Sequence, residues 1–91
     1  MNQLPKYQEL IRPLLLVLGN AGGPISNAEI ETGVIKELGI PESLATSIHS
    51  GKRTELQYRL AWARTKAKSA GWIESPGRET WAITSTGKNQ Y

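Results

Sequence analysis

Two segments that open on the same helix-start signal, a pair of β-prone runs folded about Pro76-Gly77, and cations gathered in the second half of the chain predict a mainly α fold with a small β-hairpin. The order, three helices followed by a two-stranded wing, is that of a winged helix-turn-helix. At 91 residues the chain suits a single domain over residues 1–91. A core of this size hides only about 60–65% of the surface its unfolded form would expose, so stability will be modest.

The first periodic segment runs from about Pro5 to Leu18, where Tyr7, Leu10, Ile11, Leu14, Leu15 and Leu18 form an apolar stripe at helical spacing. Pro13 sits inside it without an N–H, and its ring collides with the carbonyl four residues earlier, which predicts a kink or break near Arg12. "GNAGGP" ends the element in a loop. Pro24-Ile25 leaves room for a stub of strand. Ser26 with Glu29 then fits a capping box that starts a second helix at Asn27. Ile30, Val34 and Leu38 give that helix a buried edge, widened by Ile35, and Gly39 before Ile40-Pro41 stops it.

Residues 41–53 read as connection, with a short turn of helix around Glu42–Thr46 and with Leu44 and Ile48 tucked against the core. Gly51 serves a turn. Thr54 and Gln57 repeat the capping-box signal and open a helix over 54–70, which Gly71 closes. Its apolar face is Leu56, Leu60, Ala63, Ala67 and Ala70. "WIESPGRETWAI" then folds as the hairpin, with residues 75–80 as its turn and Ile73, Trp81 and Ile83 facing the core. Thr84 caps a final turn before Gly87.

Composition excludes several chemistries. With no cysteine there are no disulfides and no thiolate metal sites, and a zinc site would rest on His49 and glutamates alone, so neither metal nor cofactor is expected. His49 reads as a loop residue rather than a catalyst, because nothing near it in sequence forms a base and orienter pair. No stretch approaches the length of a membrane span, and "MNQLPKYQEL" lacks the basic and apolar regions of a leader, which points to a cytoplasmic protein without a membrane partner.

The formal net charge is +3, and its placement is uneven. Residues 1–50 hold three cations against five acids, while residues 51–91 hold eight against three, where a polyanion would meet them. At about 100° per residue, the core stripe of the helix over 54–70 leaves Tyr58, Ala61, Trp62, Thr65 and Ser69 on its far side, flanked by Arg59, Lys66 and Lys68. A major groove about 12 Å wide admits such a helix. Ala61 and Ser69 permit close approach, Thr65 offers a hydroxyl and a methyl group, and Arg59 or Lys66 reaches a guanine edge or a phosphate. Lys52 and Arg53 precede the helix start, whose free N–H groups also attract anions, and Arg78 sits at the wing tip. Lys52, Arg53, Lys66 and Arg78 are thus assigned to phosphates, and Tyr58, Arg59, Trp62 and Thr65 lie nearest the bases. A packing alternative stays open for Trp62, which would fold over the loop at residues 44–50.

The pieces "YQELIRPLLLVL", "SNAEIE", the glycine before "KR", and "YRLAWARTKAKSAGWIESPGRETWAITSTG" resemble the N-terminal domain of Mrr-type restriction endonucleases over almost the whole chain. The most specific part is Arg59-x-x-Trp62-Ala63-Arg64, then Ala70-Gly71 and Trp81-x-Ile83-Thr84-x-x-Gly87. The resemblance implies a winged helix that delivers a separate C-terminal nuclease domain to double-stranded DNA, in some members DNA bearing modified bases. Arg59, Trp62 and Arg64 match the family's helix motif and Arg78 falls in its wing. Lys66 and Ala67 stand where bulkier residues are common. The chain has no aspartate, and its scattered glutamates make no magnesium-binding cluster, so the domain by itself is expected not to be an enzyme but either a part of a longer protein, the favoured reading, or a reader that stands alone. The rival expectation is a protein-interaction module, a homodimer included, that uses a Tyr58/Trp62 patch.

Overall fold

The computed structural model describes residues 3–51 and 53–90. In chain order the elements are α1 (Tyr7–Ala21), β1 (Ile25–Ser26), α2 (Asn27–Leu38), α3 (Glu42–Ala45), β2 (Ile48–Ser50), β3 (Arg53–Thr54), α4 (Glu55–Ser69), β4 (Ile73–Glu74), β5 (Thr80–Ile83) and α5 (Ser85–Lys88). Helices α1, α2 and α4 form the three-helix core, and β4–β5 is the wing.

α1 is the central helix, packing most extensively on α4 and α2. It supplies Leu10, Leu14, Leu15 and Leu18 to a core completed by Ile30 and Val34 from α2, Leu56, Leu60, Ala63 and Ala67 from α4, and Ile73 from β4. The break expected near Arg12 does not occur, and one helix runs through Pro13 from Tyr7 to Ala21. Pro13 is itself buried in the apolar stripe, so its packing offsets the single bond that the Glu9 carbonyl forgoes. α1 and α2 approach closely where Gly33 faces Val17, leaving no room for a side chain at position 33 without a shift of Val17.

Both capping boxes form as the sequence predicts. Ser26 Oγ accepts from the Glu29 N–H at 3.2 Å while Glu29 Oε1 accepts from the Ser26 N–H at 3.2 Å. Thr54 Oγ1 accepts from the Gln57 N–H at 3.1 Å, and the Gln57 side chain returns the bond at 3.1 Å. Each satisfies two donors that a bare helix start would expose. Gly39 and Gly71 then take the left-handed conformation, at φ +64° and +80°, that ends their helices.

β1, β5 and β4 form an antiparallel sheet with β5 in the middle, Ile25 opposite Trp81 and Ile73 opposite Ile83. Trp81 and Ile83 are half-buried and pack against the core, and Ile73 lies within it. A second, two-stranded sheet pairs β2 with β3, Ile48 opposite Thr54, around Gly51 at φ +54°. This hairpin replaces much of the connection expected over 41–53. Leu44 packs on the core as expected, but Ile48 does not and is 61% exposed. The reason is layering: β2 has β3 as its only strand neighbour and sits on the surface, where no second layer covers Ile48.

The wing is closed by the residues after it. Thr84 Oγ1 donates to the Gly71 carbonyl at 2.6 Å, the Thr84 N–H donates to the Trp72 carbonyl at 2.9 Å, and the Thr84 side chain caps α5 by accepting from the Gly87 N–H. Gly87 is buried against the Trp72 carbonyl so tightly that a Cβ there would overlap backbone. Gly87→Ala is therefore expected to cost at least about 2 kcal/mol of unfolding free energy by overpacking, measured by urea denaturation followed through tryptophan fluorescence.

Candidate nucleic-acid interface

α4 packs inward through small or slim side chains and carries its bulk outward. Leu56, Leu60, Ala63 and Ala67 are fully buried, whereas Trp62, Thr65, Lys66, Lys68 and Ser69 are exposed and Tyr58, Ala61 and Arg64 are half-exposed. The outer surface divides into three sectors set by what flanks the helix.

On the side of the N-terminal segment, Arg59 is committed to internal partners. Its Nε lies 3.0 Å from Glu55 Oε1, and its Nη1 donates to the carbonyls of Leu4 at 2.9 Å and Pro5 at 3.1 Å. A planar guanidinium is suited to such a fork of acceptors. Arg59 thereby pins residues 4 and 5 against α4 instead of standing free above it. Beside it, Trp62 is 45% exposed and its ring centroid is 6.4 Å from that of Tyr7 in α1. Trp62 thus leans on Tyr7 of α1. The two rings border a groove of about 690 Å³, lined also by Leu4, Pro5, Tyr58 and Arg59.

The central sector is Tyr58, Ala61 and Thr65. Arg53, at the end of the β2–β3 hairpin, lies over the Tyr58 ring with its guanidinium 5.8 Å from the centroid, an arrangement that attracts a cation to the ring face. Thr65 Oγ1 donates to the Ala61 carbonyl at 2.9 Å, which spends its proton within the helix and leaves its lone pairs and methyl group outward. Lys66 and Ser69 are exposed on the same helix.

The third sector faces the sheet. Arg64 and Lys68, one helical turn apart, stand over the Trp81 ring at 5.7 and 5.8 Å from its centroid. The Trp81 indole N–H donates to Asn27 Oδ1 at 2.6 Å, tying the wing to the start of α2. A cleft of about 340 Å³ adjoins them, lined by Asn27, Glu31, Arg53, Gln57 and Arg64. Burial, and next the positive charge of Arg53, push the Arg64 guanidinium below the usual arginine range, with Glu31 pulling the other way.

Arg78 is exposed in the β4–β5 turn, which is tightly tied: Ser75 Oγ sits 2.9 Å from the carbonyl oxygens of both Gly77 and Thr80. Glu79 takes a left-handed φ of 55°, uncommon for a side chain of its size. Lys52 lies outside the described residues. Among the described residues Arg59–Glu55 is the one ion pair, so Arg53, Arg64, Lys66, Lys68 and Arg78 hold no carboxylate. No group of ligands able to hold a metal ion occurs among the described residues, and no helix is long and apolar enough to cross a membrane.

Sequence places Lys68 at the flank of the outer face and Arg64 in the helix motif without assigning either a contact, and it gives Gln57 only a capping role. The four-residue spacing of Arg64 and Lys68 was visible, but not the tryptophan from a distant strand that brings them together. A family defined as the Mrr N-terminal domain matches residues 7–90. No curated protein and no solved structure matches.

Arg59→Gln, which keeps length but loses charge and fork, is expected to lower stability by about 1–3 kcal/mol and to speed tryptic cleavage after Lys6. Urea denaturation and limited proteolysis followed by mass spectrometry check both.

Proposed function

The chain belongs to the Mrr N-terminal domain family, and we propose that it binds double-stranded DNA through α4 and the β4–β5 wing, as the target-recognition part of a restriction endonuclease whose C-terminal nuclease domain performs the cleavage. The observation that carries this reading is the outward face of α4. A helix that needed only to fill the core would not hold Tyr58, Trp62 and three unpaired cations opposite a stripe of leucine and alanine. Such a surface matches a duplex, in which charge is met by phosphates and apolar area by sugars and the thymine methyl group.

In this reading Lys52, Arg53, Lys66 and Arg78 meet phosphates, while Tyr58, Ala61 and Thr65 lie over the base edges with Trp62 at their border and Ser69 where the groove passes. Arg59 acts at one remove, as a positioning residue that fixes the N-terminal segment along one side of α4. Recognition of a modified base, as in some members of the family, falls to the Tyr58–Ala61–Thr65 surface, where a methyl group would find apolar contact.

The groove between Tyr7 and Trp62 favours a second reading, a module that pairs with itself or with a partner protein. An exposed tryptophan bordering an open groove, with Tyr7, Leu4 and Pro5 in its lining, is the kind of surface that protein partners bury.

Fluorescence anisotropy with methylated and unmethylated duplexes across a salt series tests both. With about five phosphates neutralised, log affinity should fall against log salt with a slope of about −4 to −5. Lys66→Ala should weaken all duplexes alike and reduce the slope by about one, whereas Thr65→Ala should alter sequence preference. A slope near zero, together with a DNA-independent dimer in analytical ultracentrifugation that Trp62→Ala dissociates, would instead establish the second reading.

A further inference from the structure

We propose that Arg64 and Lys68, held around the Trp81 indole and joined across the cleft by Arg53, form a phosphate-binding patch that takes a backbone phosphodiester on the sheet side of α4. The patch rests on the DNA-binding reading for its source of phosphate; it shares Arg53 with the Tyr58–Ala61–Thr65 surface, but Arg64 and Lys68 are its own.

Three features of the site support it. First, the cations outnumber the acids: Arg53 and Arg64 line one cleft, Lys68 shares a ring with Arg64, and Glu31 is the one carboxylate in that cleft's lining. Arg53 and Arg64 repel across the cleft, an opposition that Glu31 offsets only in part and that an anion would relieve. Second, the site is built rather than loose. The Trp81 ring is fixed by its N–H bond to Asn27 Oδ1 at 2.6 Å, and β5 carries that ring from the centre of the sheet. Two flexible side chains against one fixed ring lose less freedom when they close on a ligand than they would in open solvent. Third, the cleft of about 340 Å³ is lined also by Gln57 and Asn27, whose side-chain amides add neutral hydrogen-bonding groups.

The electrostatic balance of Arg64 points the same way. Its downward shift means that folding disfavours its charged form, first through burial and then through Arg53. At neutral pH, where both the folded and unfolded chains carry the charge, that cost is fully present, and it disappears only above the ordinary arginine range. A methionine would fill the same space without it. Retaining arginine at such a position fits a residue that serves an anion rather than the core. A phosphodiester suits the patch because its two free oxygens accept from a guanidinium fork and an ammonium together.

The test uses Arg64→Met, Lys68→Met and the double variant of the full chain. Each single change is expected to reduce the salt slope by about one, to weaken duplex binding about tenfold, and to leave the affinity ratio between two duplex sequences unchanged. The melting temperature of Arg64→Met should be equal to or above that of the unchanged chain, an outcome that a purely structural arginine would not give. The Trp81 indole N–H resonance, assigned with Trp81→Phe, should shift on addition of duplex and stay still in the double variant. A double variant with an unchanged slope would overturn the patch while leaving the DNA reading intact. If the unchanged chain binds no duplex, the DNA reading fails and inorganic phosphate decides the patch: a saturable shift of the Trp81 resonance at millimolar phosphate supports it, and none overturns it.

Discussion

The close packing of α4 against α1 through Leu56, Leu60, Ala63 and Ala67 is the constraint on which the rest of the molecule depends. All four are buried essentially completely, and the two alanines let the C-terminal half of α4 approach its neighbours without a large side chain between them. Because the inward face is slim, the bulk and charge of the helix are displaced to its outer side. That displacement leaves Tyr58, Trp62 and Lys66 where a partner can reach them. A helix with such a thin apolar stripe gains little from burial alone, so its position is secured at its ends and edges. The Thr54–Gln57 box fixes where it starts, Arg59 ties it to the carbonyls of Leu4 and Pro5, and Gly71 turns the chain into the wing.

Trp81 acts as the joint between the wing and the helices. It sits on β5, which pairs with β1 on one side and β4 on the other, so any tilt of the sheet is felt at the indole. Its N–H reaches the first residue of α2, and its ring face is covered by two cations of α4. One side chain thus sets the wing relative to both helices of the helix-turn-helix. At the far end of the sheet, Thr84 and Gly87 fasten the returning chain to Gly71 and Trp72, so the hairpin is held at both its base and its flank.

The two flanks of α4 differ in chemistry. Toward the N-terminal segment the surface is aromatic, with Tyr7 and Trp62 over an open groove and the local arginine neutralised by Glu55. Toward the sheet it is cationic, with the half-buried Arg64 and the exposed Lys68 over the Trp81 ring and Glu31 the one acid in the adjoining cleft. Charges left unpaired at partial burial keep more of their field than fully solvated ones, because water and salt screen them less. The sheet-side flank is therefore the more cationic of the two, and the aromatic flank is where apolar area remains exposed.

Much of this architecture was legible in the sequence because it is local. Ser26 and Glu29, Thr54 and Gln57, and the glycines at 39 and 71 specify helix ends through bonds and dihedrals that span at most a few residues. The alternating run on either side of Pro76-Gly77 specifies the wing by the same short-range logic. What failed was longer in range. Of the kink or break expected at Pro13, the break does not occur, since the helix continues through a buried proline, and Ile48, expected in the core, lies exposed on the β2–β3 hairpin. The partners of Trp62, Arg59 and Arg64 were equally hidden, since Tyr7, the Leu4 and Pro5 carbonyls and Trp81 lie far away along the chain. By itself the sequence determined which residues form helices and hairpin, and that cations and rings gather on the helix over 54–70. Only the tertiary structure decided which of those cations are already engaged and which stand free, because that depends on distances between segments that no local spacing encodes.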